Sequence, residues 1–222
     1  MNPYKQRVTD AVARKHGKDG VHPPAYALSL WQPWATAIAH GEKRIETRCW
    51  STNFRGPLLI HAAQHVFTLV DQLLMHEQPY FNMLAGWLRD TYPMESKVGL
   101  TTHDRILAYK KLPRGCIVAS AWLRDCLPVE DPRVSGFLDK HPDERGWGDY
   151  SHGRFAWMLD TIIPFAKPVS CHGAQGLFLP SPDVLALAFD QIQQATKLYG
   201  VPGAGDVTRS PDTHNPQPKT HN

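Results

Sequence analysis

With 222 residues, 42% of them hydrophobic and 20% charged, and with 16 Gly and 19 Pro, the chain has the composition of one globular domain rich in turns, which excludes a coiled coil and a wholly disordered chain. No apolar run approaches the roughly 18 residues of a membrane helix, and Met1–Arg7 leads into no apolar signal core, so a cytoplasmic address without membrane contact is expected. The net charge of +3 comes from residues 1–24, where Lys5, Arg7, Arg14, Lys15 and Lys18 face only Asp10 and Asp19; the neutral remainder has no global field for phosphates, and nucleic-acid contact would need a local basic patch.

In chain order, residues 1–24 are polar and close on His22-Pro23-Pro24, which predicts a flexible basic arm. Tyr26–Leu30 is a short strand. A brief helix comes next, with Pro33 at its first position and Gly41 just past its end. Residues 44–50 are strand-like, and Leu58–Ala63 is a continuous apolar run of the kind found in buried strands. Val66, Leu69, Val70, Leu73 and Leu74 recur at helical spacing, as do Tyr80, Phe81, Leu84, Trp87 and Leu88. These place helices within 65–112. Gly115–Leu123 and Arg154–Ile163 are further strands. Pro164 and Pro168 are expected to break the chain past Ile163, and Gln175–Leu179 is a last short strand. Ser181 caps a helix begun by Pro182, with Val184, Leu185, Ala188, Ile192, Ala195 and Tyr199 as its apolar face and Gly200 as its stop. Residues 201–222, with four prolines, form a flexible tail. About six short strands with interspersed helices give an α+β domain over 25–200, its sheet closed into a small barrel.

Chemistry concentrates between Leu30 and Trp50. Trp31, Trp34 and Trp50 lie beside Lys43, Arg44, Arg48, Glu42 and Glu46. Aromatic faces stack bases, and cations hold phosphates or pair with acids. On a regular strand Arg44, Glu46 and Arg48 share one face and Lys43 points away from Glu46; if the approach to the strand is turn-like, Lys43 and Glu46 lie three apart and meet. Both arrangements fit the sequence, and a surface ladder of ion pairs is a third reading.

Gly41-x-Lys43-x-x-Glu46-x-Arg48 resembles the signature of the ASCH domain family, which belongs to the PUA-like superfamily of small β-barrels. The flanks agree: Ser29-Leu30-x-x-Pro33-Trp34-Ala35 before it and Arg55-Gly56-Pro57-Leu58-Leu59-Ile60-His61-Ala62 after it. Arg114–Ala119, Gly153–Trp157 and Gly173–Leu177 are similar to the family's later segments. The resemblance covers about 25–180, with a helical insertion at 65–112. It implies a cleft between barrel and first helix that binds RNA or a modified nucleotide or nucleoside through Lys43, Glu46 and Arg48. It also opens a hydrolase alternative with Lys43 and Glu46 as catalytic candidates. One relative is an amidohydrolase of N4-acetylated cytidine using a lysine, a threonine and a glutamate; its lysine falls on Lys43, but its threonine falls on Glu46, so a carboxylate replaces the hydroxyl. Another relative is a ribonuclease. A carboxylate beside Lys43 favours the ammonium form, so the pair suits positioning a ligand better than abstracting a proton.

Around this core the expected ligand contacts are Trp31, Trp34, Trp50, His61 and Tyr150. The stretch Gly146–Gly153 is a glycine-hinged aromatic loop able to act as a lid over a base. His61 and His65 stand four apart, but His61 ends a strand run, so no metal site is expected. Arg105, Lys110, Lys111 and Arg114 form a basic patch. No phosphate loop or dinucleotide fingerprint appears, so no cofactor is expected. Cys49, Cys116, Cys126 and Cys171 show no CxxC pair and are expected to be free thiols. A third functional reading takes the helical insertion as a protein-interaction surface.

Overall fold

The computed structural model describes residues 26–64 and 109–198. The arm 1–24, the tail 201–222, Gly200, His65, Arg105 and residues 65–108 of the expected insertion, with the interaction surface assigned to it, lie outside the described residues.

Strand β1 (Tyr26–Leu30) leads to helix α1 (Trp34–Ala39), β2 (Ile45–Arg48) and β3 (Gly56–Ala62). Beyond residue 108 come β4 (Cys116–Pro128), α2 (Pro132–Lys140), a 3-10 helix (Pro142–Trp147), β5 (Phe155–Ser170), β6 (Leu177–Phe178) and α3 (Pro182–Leu198). The six strands form one sheet in the order β2-β5-β4-β3-β1-β6. The β1–β3 pair is parallel and the other pairs are antiparallel, which makes the sheet mixed and the fold α+β.

The sheet curls without a hydrogen-bonded seam between its end strands, so the expected closed barrel is a half-barrel. Four strand spacings separate β2 from β1, roughly 19 Å in a flat sheet. Yet Arg48 Nη2 on β2 donates to the Ser29 carbonyl on β1 over 2.9 Å. Inside the curl lie Leu28, Leu30, Leu58, Ile60, Ala121, Leu123 and Trp157, with Ala35 and Ile38 of α1. The residues between them along the strands face the other way, as strand alternation requires. Ala27, Leu59, Ile117 and Ile163 pack there against Ala188 and Ile192 of α3. A third cluster seats Val134 and Leu138 of α2 on Ile45, Leu127 and Ala156.

Two helix ends obey their sequence signals. Ser181 Oγ accepts from the Val184 amide at 3.5 Å. At the end of α1, Gly41 has φ +79°; its amide donates to the Ile38 carbonyl and the Glu42 amide to that of Ala37, a closure that glycine makes cheap. Pro33 precedes the helix as its N-cap, after a cis Gln32–Pro33 bond.

Pro164 and Pro168 do not break the chain, because β5 runs through both to Ser170. Ile117 pairs with Val169 and Ala119 with Pro164, so four residues of β5 bulge opposite one residue of β4. Pro168 lies in that unpaired stretch and Pro164 at its edge, where no ladder bond is asked of a missing N–H. Helix α2 was not expected, although Asp131-Pro132 is a start signal: the Asp131 carboxylate accepts from the Arg133 amide at 2.9 Å. Among the described residues, no helix is long and apolar enough to cross a membrane.

Candidate functional site

The glycine turn after α1 delivers Lys43 before β2 begins, so the approach is turn-like. The Lys43 side chain folds under the strand and is 1% exposed. Its Nζ lies 2.5 Å from the Ile45 carbonyl, 2.9 Å from the Trp147 carbonyl and 3.3 Å from Glu46 Oε2. An ammonium has three donors, and three acceptors surround this one. Arg48, two residues along β2 from Glu46 and on its face, brings Nε to 3.0 Å from Glu46 Oε1 while Nη2 reaches Ser29. The Glu46 carboxylate is thus gripped at both oxygens and nearly buried.

Above this triad is a cavity of about 440 Å³. Leu30, Trp31 and Trp34 form one wall, Lys43, Glu46 and Thr47 the floor, and Gly146–Asp149 with Arg154 the far wall. Trp31, at the rim, is 56% exposed. Thr47 ties the far wall down: its hydroxyl accepts from the Asp149 amide at 3.2 Å and its carbonyl from Arg154 Nη2 at 3.1 Å. Asp149 is held below the usual carboxylate range by the Ser151 amide first, then by the Ser151 hydroxyl and the Arg154 charge.

The Gly146–Gly153 loop therefore does reach the site, but not as an aromatic lid. Trp147 is buried in the protein at 1% exposure and contributes its carbonyl. A Cβ on Gly148 would stand 3.0 Å from the Tyr150 ring and 3.2 Å from Thr47 Cγ2, so the wall is closely fitted.

Three expected ligand contacts lie elsewhere. Trp50 packs edge-on against Trp157, with centroids 4.6 Å apart, and its carbonyl accepts from the Trp157 indole; it belongs to the inner core. Tyr150 backs the loop against the α2 cluster, and burial, with the charges of Glu144 and Glu46, pushes its hydroxyl far up so that it stays protonated. His61 faces the α3 side of the sheet, where Ser29, the Cys171 carbonyl and Phe178 surround it. Of the basic patch, Arg114 is spent on the carbonyls of Tyr109, Lys110 and Leu112 and lies over the Tyr109 ring.

Glu144 was missed by sequence reasoning. Its carboxylate, 3% exposed, accepts from the amides of Arg44 at 2.9 Å and Ile45 at 2.8 Å. Burial pushes it above the ordinary carboxylate range, against the pull of those amides and of the Lys43 and Arg44 charges. No local motif marks it, since its partners lie about a hundred residues away. The four cysteines are free thiols.

The sequence model described as "ASCH domain" matches residues 28–145, more than half of the chain. The chain belongs to the ASCH domain family. ASCH domains are PUA-like, a class often proposed to bind RNA. Among solved structures the chain is similar to the ASCH protein of Zymomonas mobilis, at 14% identity and TM-score 0.41, over 75% of this chain and 94% of that one. Two single-residue variants of that protein match at 13% and 14% identity with TM-scores of 0.40 and 0.39, each over 76% of this chain and 98% of that one. No curated protein matches the chain. The matched ASCH span includes Trp31, Trp34, Lys43, Glu46 and Arg48 but ends before Gly146–Asp149 and Arg154, so the far wall of the cavity is built by residues beyond it.

Proposed function

We propose that this ASCH domain binds RNA or a modified nucleotide or nucleoside by taking one base into the Trp31–Glu46 cavity. The observation that carries the reading is the Glu46 carboxylate, fixed by Lys43 and Arg48 at the floor of a cavity with the exposed Trp31 at its rim. A carboxylate offers about four lone-pair directions, and the two ion pairs leave others for the amino or imino group of a base. Trp31 offers a stacking face, and Arg154 at the far wall suits a phosphate or sugar oxygen. Hydrolysis fits less well: Nζ of Lys43 is already turned to three acceptors of the protein itself.

The test is a titration of short single-stranded RNAs and of nucleosides, N4-acetylcytidine among them, read by fluorescence anisotropy and thermal shift. Trp31→Ala should weaken binding by about 1–3 kcal/mol, roughly 5- to 150-fold, with the melting temperature of the free protein little changed. Equal affinity for wild type and variant would remove the cavity from the reading. Turnover of the acetylated nucleoside would restore the hydrolase alternative.

A further inference from the structure

On the opposite side of β1 a second cavity, of about 890 Å³, opens between the 170–176 segment and the start of α3. In it a hydroxyl, an imidazole and an orienting carbonyl stand in line. Ser29 Oγ lies 3.0 Å from His61 Nδ1, and His61 Nε2 lies 3.0 Å from the Cys171 carbonyl oxygen. A carbonyl only accepts, so the ring proton sits on Nε2 and the Nδ1 lone pair faces the Ser29 hydroxyl. That is the order of nucleophile, base and orienter required of an activated serine.

We propose that Ser29 and His61 are catalytic residues of a second site, which transfers acyl groups from small neutral esters to water. The surroundings choose the substrate class. Apart from His61 and His172, no ionisable side chain other than Cys171 lines the cavity. Phe178, Leu179 and Val184 give it an apolar wall, and Gln64 and Gln175, whose carboxamides are of a type that can donate to a carbonyl oxygen, also line it. No lysine or arginine lines it to pair with a charged phosphate or carboxylate. His61 is 1% exposed, and burial holds its imidazole below the ordinary value, so it is neutral near pH 7 and can take a proton. Gly173 is pressed on the pair: a Cβ there would come within 2.5 Å of His61 Cε1 and 2.9 Å of Ser29 Oγ, so only glycine leaves the alignment intact. In the resting state the Ser29 hydroxyl also has the Ala174 carbonyl at 3.0 Å as an alternative acceptor, and a main-chain carbonyl steadies an imidazolium less than a carboxylate does. Both features make the site slow.

In the reaction Ser29 Oγ bonds to the acyl carbon while its proton passes to His61 Nδ1. The adduct collapses, the ester C–O bond breaks and the leaving alcohol takes that proton. Water then attacks the acyl-serine, His61 takes a proton from it, Ser29 Oγ regains the proton and the free acid departs.

The experiment uses the full chain with p-nitrophenyl acetate. The expected result is a stoichiometric burst of p-nitrophenolate, with the acetyl group mapped to Ser29 by peptide mass spectrometry. Ser29→Ala should abolish the burst, and His61→Gln should slow it about 100-fold or more. Acetylation of lysines alone, or a wild-type rate no faster than that of folded Ser29→Ala, overturns the proposal. If Ser29→Ala does not fold, the site of acetylation on the wild-type chain decides by itself.

Discussion

The Glu46 carboxylate is tolerated in its nearly buried place because Lys43 and Arg48 stand at 3.3 and 3.0 Å from its two oxygens. Removing one partner of such a set leaves a charge without compensation, which costs about 3–5 kcal/mol. Glu46→Ala should therefore destabilise the domain by that amount in urea unfolding, more than any rim substitution. Lys43→Met combined with Glu46→Gln removes both charges at similar volume and should recover a large part of the loss, which a double-mutant cycle would read as coupling. Equal stability for Glu46→Ala and wild type would show that the triad braces nothing. The triad was partly legible in the sequence. Spacing alone left two geometries for Lys43 and Glu46, and what selected the meeting one is the left-handed Gly41, which turns the chain so that Lys43 reaches back under β2. Trp50, His61 and Tyr150 lie outside the lining of the Trp31–Glu46 cavity. Alternation along β3 puts His61 on the Leu59 face, away from Leu58 and Ile60, but which face of the sheet fronts the cavity is set by the fold as a whole and not by a local pattern.

The 3-10 helix Pro142–Trp147 clamps the start of β2 at two points, with the Glu144 carboxylate on the amides of Arg44 and Ile45 and the Trp147 carbonyl on Lys43. Burial raises the affinity of Glu144 for its proton above that of an exposed glutamate. Between the ordinary value and the raised one, the folded state binds more proton than the unfolded chain, so this group makes stability fall as pH climbs through that window and leaves it flat above. Glu144→Gln should remove that slope while costing about 1–3 kcal/mol through poorly accepted amides, as measured by urea unfolding from pH about 4 to about 8. An unchanged pH slope would assign it to another carboxylate. Elements with strong local signals, the strands and the Ser181-capped α3, were readable. The run of β5 through Pro164 and Pro168 was not, because proline is excluded only where a ladder bond is due, and the bulge that spares those positions is made jointly with β4. The clamp was unreadable for the same reason: it joins residues far apart in sequence through main-chain groups.

At the open side of the sheet the Arg48 side chain bridges β2 and β1. Arg48 reaches from β2 to the Ser29 carbonyl of β1 across the mouth of the half-barrel, while its Nε lies 3.0 Å from Glu46 Oε1 as an ion pair without hydrogen-bond alignment, so the seam and the floor of the cavity share a residue. Just beyond Ser29, Leu30 and Trp31 form the cavity wall, and the Ser29 hydroxyl faces the second cavity, so both hollows depend on where this end of β1 is placed. A charge-assisted bond to a main-chain carbonyl is worth about 1.5–3 kcal/mol, and only a planar fork can serve Glu46 and Ser29 together. Arg48→Ala should therefore lower stability by at least that amount, since it also takes one ion pair from Glu46. Arg48→Lys should fail to restore it, since one ammonium at the end of a flexible stem cannot span both acceptors. Hydrogen exchange locates the effect: in both variants the amides of Leu30 and Trp31 should lose protection together with those of β2, while those of β4, paired on both sides, keep theirs. Full rescue by lysine, or loosening confined to β2, would mean that Arg48 serves Glu46 alone and that the curl is held by the inner core.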